Sequence, residues 1–189
     1  MSIAAVVLAA GGGRRFAGPQ HKLLAPYLGA PLVVAALRAA AESGCDETAV
    51  VAGAVDLAGL VPEGMTILSN PDWDRGLSSS LGVALNWCRA RGHTAVVLGL
   101  GDMPGVPASA WRAVAGVDSA VAVASFAGAL RPPVRLAASV WDEVPTSGDI
   151  GARDLWKRPG TAEVACEGSP VDIDTPEDLA RLEQELPSR

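Results

Sequence analysis

An uninterrupted apolar run near the start of the chain, followed at once by glycines, constrains the fold more than any other feature of this sequence. Residues 3–10 read IAAVVLAA, without the polar alternation expected of a strand that has one face in water. Strands that are apolar on both faces are typical of parallel sheets covered by helices on each side. Gly11, Gly12 and Gly13 end the run. The sequence therefore predicts a buried parallel strand that opens into a glycine-rich loop.

Further strands and helices alternate along the chain. Helices are predicted for residues 32–41, 55–60 (weakly), 78–91, 108–114, 151–156 and 176–186. Strands are predicted for residues 49–52, 66–68, 94–100, 120–124, 131–136, 162–166 and 171–173. Pro132 and Pro133 place the start of the 131–136 strand at a sheet margin, because proline cannot donate to a strand ladder. The alternation predicts a three-layer, Rossmann-like α/β fold with a mostly parallel sheet, in a single domain over residues 1–189.

Composition and charge exclude several classes of function. The formal net charge of −6 argues against a protein that follows a nucleic-acid backbone or binds membranes through a basic face. Cys45, Cys88 and Cys166 are far apart in sequence, which favours neither a zinc knuckle nor a disulfide framework. The apolar run at residues 3–10 is too short for a membrane span, and basic residues follow it instead of preceding it. We expect a cytoplasmic protein with small-molecule partners and no nucleic-acid or membrane partner.

The loop after the first strand concentrates positive charge in an acidic protein. Arg14, Arg15, His21 and Lys22 lie within nine residues. Phe16 stands where a dinucleotide-binding fingerprint needs glycine, and Pro19 stands where a Walker A loop needs lysine, so neither common phosphate loop is present. Backbone N–H groups of a glycine-rich turn still bind anions. The loop predicts a phosphate site, with a flexible loop of solvated charges as the alternative.

The same loop resembles that of the MobA-like nucleotidyltransferases. The resemblance is carried by Leu8-Ala9-Ala10-Gly11 followed by Gly13, Arg15, Phe16, Gly18 and Lys22, with one residue more than the usual loop. It implies that the backbone of residues 8–13 (Leu8, Ala9, Ala10, Gly11, Gly12 and Gly13) binds the phosphates of a nucleotide. It also implies that Arg15 and Lys22 neutralise those phosphates and act in catalysis.

Two further segments of the family carry carboxylates. Gly101-Asp102-Met103-Pro104 resembles the metal-binding GDMP segment of the family, and it follows a predicted buried strand, where a carboxylate faces the ligand crevice. Residues 171–179, VDIDTPEDL, resemble the segment that closes the family domain. On a strand, Asp172 and Asp174 would point the same way. We therefore expect Asp102, with Asp172 or Asp174, to bind Mg²⁺, and the resemblance implies that Asp102 also acts in catalysis. We interpret Asp178 as a helix cap.

Other residues are expected to complete the nucleotide site. Residues 70–81 resemble the family segment that runs from an Asn-Pro pair through a tryptophan to a serine-rich helix start. Asn70, Ser78 and Ser80 are therefore expected to bind the nucleotide together with Gly101 and Asp102, although serines at a helix start are also common caps.

The acceptor side of the site is less constrained by the sequence. Residues 148–153, GDIGAR, resemble a segment of the molybdenum cofactor cytidylyltransferase branch, which implies acceptor contacts from Asp149 and Arg153. Arg131 is a further candidate for acceptor contacts, because Arg131 and Pro132 stand where that branch often has a Gly-His pair. This departure leaves the identity of the acceptor open.

The resemblance implies a Mg²⁺-dependent enzyme that transfers CMP from CTP to molybdopterin, or molybdenum cofactor, and releases pyrophosphate. The LAAG form of the loop favours a pyrimidine nucleotide. Two alternatives stay open: transfer to another phosphorylated metabolite such as a sugar or polyol phosphate, and a non-catalytic nucleotide- or cofactor-binding chaperone of a molybdenum hydroxylase. Docking to such a hydroxylase or its chaperone is a further expectation.

Overall fold

The computed structural model describes residues 1–17, 20–145 and 153–185. Its strands are β1 (Ile3–Ala9), β2 (Pro26–Tyr27), β3 (Ala30–Pro31), β4 (Glu47–Ala52), β5 (Thr66–Ser69), β6 (Ala95–Leu100), β7 (Val121–Phe126), β8 (Ala129–Ala137) and β9 (Ala162–Ala165). Its α-helices are α1 (Val33–Ala41), α2 (Leu77–Arg91), α3 (Ala108–Ala115), α4 (Arg153–Trp156) and α5 (Pro176–Glu185). Short 3₁₀ helices cover Lys22–Leu24, Trp73–Arg75 and Ala138–Glu143.

The central sheet has seven strands in the order β5-β4-β1-β6-β8-β7-β9. Strand β8 is antiparallel to its neighbours β6 and β7. The pairs β1–β4, β1–β6, β4–β5 and β7–β9 are parallel, so the predicted mostly parallel sheet is confirmed. The hairpin of β2 and β3, which the sequence did not predict, forms a separate pair.

Helices cover both faces of the sheet, as the uninterrupted apolar strands predict. Along β1, Ala5, Val7 and Ala9 pack in a core with α1, α3 and α5. The alternate side chains, Ala4, Val6 and Leu8, pack in a second core with α2 and the segment around Trp141 and Leu155. The two cores make the three layers that the sequence predicts. In the described ranges, no helix is both long and apolar enough to cross a membrane.

Three local predictions are wrong. Residues 55–60 form turns instead of a helix, and residues 171–173 are not a strand. Strand β8 starts at residue 129 and lies inside the sheet, between β6 and β7. Its prolines are accommodated because the β7–β8 register shifts at this point: Val123 pairs with Val134, but Ala124 pairs with Arg131. Pro132 and Pro133 fall between these pairs, where the bulge requires no N–H from them.

The parallel strands deliver their loops to one edge of the sheet. The chain leaves β1 into the glycine loop, β4 at Gly53, β5 at Asn70 and β6 at Gly101. Backbone hydrogen bonds tie these exits together, from the Gly101 N–H to the Leu8 carbonyl (2.9 Å) and from the Asn70 N–H to the Ala52 carbonyl (2.8 Å). Ligands of such folds bind beyond the carboxyl ends of the strands.

The close packing of β6 on α3 gives a test of the fold. A methyl group at Gly99 would overlap the buried indole of Trp111. We expect Gly99→Ala to lower the free energy of unfolding by about 1–3 kcal/mol through overpacking. Gly82→Ala in α2 is the matched control, because a methyl group there meets no atom within 4 Å. It should instead raise the free energy of unfolding by about 0.5–1 kcal/mol. Denaturant unfolding measures both, and equal effects would contradict this packing.

Candidate active site

A cleft of about 570 Å³ opens at the carboxyl edge of the sheet. Its walls come from the end of β1, the glycine loop, the start of α2 and the end of β6. The lining residues are Leu8, Ala10, Gly11, Gly12, Gly13, Arg14, Arg15, Trp73, Asp74, Gly76, Leu77, Ser80, Leu100 and Asp102. The cleft therefore combines a floor of apolar strand ends with a rim of glycine backbone, arginines and carboxylates.

Trp73 packs directly on the glycine loop. A Cβ added to Gly12 would lie 2.7 Å from the Trp73 ring, and one added to Gly53 would lie 2.7 Å from the Trp73 Cβ. The two glycines thus allow the tryptophan to sit against the backbone of the loop and of the β4 exit. The position of Trp73 in residues 70–81 predicts a tryptophan near the nucleotide base with a packing role, and the structure shows this packing.

Lys22 joins two carboxylates that come from distant parts of the chain. Its ammonium nitrogen lies 2.6 Å from Oδ2 of Asp102 and 3.2 Å from Oδ1 of Asp174. Nη2 of Arg15 lies 3.0 Å from Oδ2 of Asp174. The Lys22 side chain is only 12% exposed, whereas that of Arg15 is 79% exposed. The Lys22 contacts are therefore the shielded part of this network, and the Arg15 contact is a surface ion pair.

Opposing effects act on the charge of Lys22. Desolvation lowers the pKa of its ammonium group, but the charges and hydrogen bonds of Asp102 and then Asp174 outweigh it and raise the pKa above 10.5. Lys22 is therefore protonated at neutral pH. The glycine loop, the end of β6 and the segment before α5 thus meet at one fixed positive charge.

The segment that carries Asp172 and Asp174 is held in place without being a strand. The Ile173 N–H donates to the Asp102 carbonyl at 2.9 Å, and the Ile173 side chain is fully buried. Oδ2 of Asp178 accepts from the backbone N–H groups of Asp174 (3.2 Å) and Thr175 (2.9 Å). The expectation that strand geometry aligns Asp172 with Asp174 is wrong, and the hydrogen bond to the end of β6 brings Asp174 to the site instead.

Asp172 lies beside this network in an unfavourable electrostatic position. Desolvation raises the pKa of its carboxyl group, and the negative charges of Asp102 and Asp174 raise it further, against a lowering by Arg131 and Lys22. The three carboxylates are therefore near enough to repel one another. In the described part of the chain, however, no group of three or more His, Cys, Asp or Glu side chains is arranged to hold a metal ion.

The two carboxylates that contact Lys22 are nevertheless suitable ligands for a hard divalent cation. Oxygen atoms of Asp102 and Asp174 both approach a single positive centre, the Lys22 nitrogen. Carboxylate oxygens are the ligands that Mg²⁺ and Mn²⁺ take in proteins, usually with phosphate oxygens and water. Of the predicted metal ligands, the structure thus brings Asp102 and Asp174 together at Lys22, and Asp172 lies beside them without a contact to Lys22 among the ion pairs of the described residues.

Several predicted nucleotide residues lie behind the cleft instead of on its surface. Ala9 and Gly101 are buried. The Asn70 side-chain amide donates to the hydroxyl oxygens of Ser79 (2.9 Å) and Ser80 (3.0 Å), so it positions the serine that lines the cleft. The Ser78 hydroxyl is buried and has no hydrogen-bond partner among the described residues; it borders a neighbouring groove. Their direct role in nucleotide binding stays a prediction.

The acceptor residues are only partly located. Arg131 is exposed near the start of β8, where its guanidinium donates to the Leu130 carbonyl and influences the pKa of Asp172. Asp149, the Arg153 side chain and the family glycine Gly18 lie outside the described residues.

Comparison with known families and structures agrees with this fold. The model of the MobA-like NTP transferase domain matches residues 5–164. The chain therefore belongs to the family of MobA-like NTP transferases. The comparison with curated proteins gives no match.

Solved structures of similar proteins cover nearly the whole chain. The crystal structure of Rv0371c from Mycobacterium tuberculosis H37Rv is 29% identical, with a TM-score of 0.82 over 98% of this chain and 100% of that one. The Rv0371c complex with manganese gives 27% identity and a TM-score of 0.77 over 98% and 100% of the two chains. A nucleotidyl transferase from Methanothermobacter is 26% identical, with a TM-score of 0.79 over 97% and 96%.

The pKa values of Asp172 and Asp178 are shifted in opposite directions, so substitutions of these two aspartates should change the free energy of unfolding in opposite directions. Because the folded-state pKa of Asp172 is raised, its ionised form destabilises the fold once the pH exceeds the unfolded value of 3.8. We expect Asp172→Asn to raise the free energy of unfolding at pH 7 by about 0.5 kcal/mol, after allowance for solvent screening. This gain should disappear as the pH falls below 3.8, where the wild-type carboxyl is protonated in both states.

Asp178→Asn is the matched control. Hydrogen bonds from Thr175 lower the pKa of Asp178, so its carboxylate stabilises the fold above pH 3.8, and the neutral amide should lower the free energy of unfolding at pH 7. Urea unfolding of both variants at pH 3 and pH 7 measures the difference. Equal signs at pH 7 would contradict the electrostatic picture of this segment.

Proposed function

We propose that the protein is a nucleotidyltransferase that moves CMP from CTP onto a phosphorylated acceptor, molybdopterin or molybdenum cofactor, and releases pyrophosphate. Membership of the NTP transferase family supports a nucleoside triphosphate as substrate. The pyrimidine preference rests on the LAAG form of the loop, and the acceptor rests on the resemblance of residues 148–153 to the cytidylyltransferase branch.

One observation carries the proposal: the glycine loop lines the same cleft as Asp102, the carboxylate that contacts Lys22. The loop offers backbone N–H groups to phosphate oxygens, and Asp102 lines the cleft beside it. A triphosphate bound along the loop would thus lie next to the shielded charges. A pocket for a neutral metabolite has no need of this arrangement.

The chemistry needs no nucleophile from the protein. An oxygen of the acceptor phosphate forms a bond to the α-phosphorus of CTP, while the bond from that phosphorus to the bridging oxygen breaks and pyrophosphate leaves with the electron pair. The nucleophile is already an anion, so the site has to position the reactants and neutralise charge. The loop backbone and Arg15 would hold the phosphates, and Lys22 would stabilise the charge that develops at the α-phosphate.

A divalent cation, Mg²⁺ in this proposal, would be held by Asp102 with Asp174 or Asp172. When bound, it supplies Lewis-acid stabilisation of the phosphoryl oxygens. Lys22 contacts both Asp102 and Asp174, and its ammonium group has a third N–H that would be able to donate to a phosphate oxygen of a bound nucleotide. The crystal structure of Rv0371c with manganese supports a divalent cation in this fold.

The acceptor and the setting of the reaction complete the proposal. We propose that Arg131, Asp149 and Arg153 contact the acceptor. We also propose that the protein is cytoplasmic and docks to a molybdenum hydroxylase or its chaperone. A sugar or polyol phosphate is the second candidate acceptor, because Arg131 and Pro132 replace the Gly-His pair of the cytidylyltransferase branch.

Removal of the Asp102 charge tests the catalytic assignment. We expect Asp102→Asn to slow pyrophosphate release from Mg²⁺, CTP and molybdopterin by roughly 100-fold or more, because it removes a metal ligand that acts in the transition state. The matched control is Asp118→Asn, at an exposed aspartate outside the cleft, which should leave the rate unchanged. A near-normal rate with Asp102→Asn would exclude the proposed role.

A substrate screen tests the specificity. CTP, GTP, ATP and UTP are each combined with molybdopterin, and CTP is combined with a set of sugar and polyol phosphates. Pyrophosphate release only with CTP and molybdopterin is the expected outcome. Pyrophosphate release with a sugar or polyol phosphate would favour the second candidate acceptor. CTP binding without pyrophosphate release on any acceptor would favour the non-catalytic chaperone.

A further inference from the structure

The histidine next to Lys22 is part of neither the catalytic nor the metal-binding assignment, yet it contacts the glycine loop. Nε2 of His21 lies 3.0 Å from the Gly11 carbonyl oxygen, and Nδ1 lies 3.2 Å from the backbone nitrogen of Leu23. The ring thus stands between the loop after β1 and the 3₁₀ helix Lys22–Leu24.

The two contacts determine the tautomer. A backbone N–H only donates, so Nδ1 must accept from Leu23 and carries no proton there. Nε2 then carries the proton and donates it to the Gly11 carbonyl. Both ring nitrogens are used in the neutral form, whereas a protonated ring would lose the Leu23 bond.

The surroundings favour this neutral form. Desolvation lowers the pKa of His21, the hydrogen bond to the Gly11 carbonyl opposes this, and the charge of Lys22 adds to the lowering, so the net shift is below 6.5. The ring is therefore uncharged at neutral pH. The expected contribution of His21 to the phosphate site stays a prediction.

The ring also fits the shape of the loop. Gly13 has a φ of +58°, in the left-handed region, and a Cβ there would lie 3.1 Å from Nε2 of His21 and 3.1 Å from Cγ of Lys22. The loop backbone thus passes close to both side chains. On the other side, Leu23 is 2% exposed and belongs to the core of α1, α3 and α5.

We propose that His21 is a positioning residue that links the glycine loop to the 3₁₀ helix of Lys22, so that a triphosphate meets the loop N–H groups and the lysine in one fixed arrangement. This role rests on the proposed function. It predicts that loss of the Gly11 contact weakens nucleotide binding, because the loop must then be ordered by the ligand itself.

The test compares three variants that keep different contacts. His21→Ala removes both, His21→Asn retains a side-chain oxygen that caps the Leu23 N–H, and His21→Gln retains an amide donor long enough for the Gly11 carbonyl. We expect the dissociation constant of the α,β-methylene analogue of CTP, with Mg²⁺, to rise about tenfold for the alanine and asparagine variants, equivalent to one lost hydrogen bond. The glutamine variant should recover most of the affinity.

Calorimetry measures the affinity of each variant for the analogue. Thermal unfolding measures its stability, so that a loss of affinity is distinguished from a loss of folded protein. The matched control is His93→Gln: this buried histidine contacts the Ser2 hydroxyl (2.8 Å), so its loss should lower stability and leave the affinity unchanged. If His21→Asn binds the analogue as tightly as His21→Gln does, His21 is only a helix cap, and the proposal is overturned. Unchanged affinity in His21→Ala would also overturn it.

A measurement on the wild type covers the case in which the variants do not fold. Long-range ¹H–¹⁵N spectra at pH 7 should show His21 neutral and protonated at Nε2, and a charged ring or the other tautomer would overturn the proposal. Failure of the wild type to bind the analogue would instead overturn the proposed function, and this role with it. The two failures are therefore distinguishable.

Discussion

The contact of one lysine with two aspartates determines how the candidate site is built. Lys22, Asp102 and Asp174 come from the loop after β1, the end of β6 and the segment before α5. Two carboxylates placed together without a cation repel each other, and the shielded ammonium group removes that cost. The same ammonium group thus holds together the two carboxylates that we propose as metal ligands.

The topology of the sheet makes this contact possible. Strands β1 and β6 are parallel neighbours, so their carboxyl ends lie side by side, with Leu8 paired to Leu100. The hydrogen bond from Ile173 to the Asp102 carbonyl adds the third segment. Small residues allow the close approaches: Gly12 and Gly53 admit Trp73, and Gly13 admits His21 and Lys22. The site is thus a consequence of packing at one sheet edge.

The sequence predicted the parts of this structure that depend on local pattern. The uninterrupted apolar strands β1 and β6 predicted a covered parallel sheet, and the motif resemblance placed Lys22 and Asp102 in one site. The errors arose where contacts between distant segments decide the structure. Residues 171–173 were assigned to a strand, but Ile173 is instead held by a backbone hydrogen bond to the Asp102 carbonyl and by burial of its side chain. His21 has two backbone partners, the Gly11 carbonyl and the Leu23 N–H, and residue type alone does not reveal them.

The fate of the α-phosphate tests the central claim most directly. CTP labelled at its α-phosphorus is incubated with the protein, Mg²⁺ and molybdopterin, and the products are separated. The account predicts that the label moves to the acceptor, in equal amount to unlabelled pyrophosphate. Label that remains in CTP, or that appears in free CMP while the acceptor stays unlabelled, would contradict nucleotidyl transfer to this acceptor.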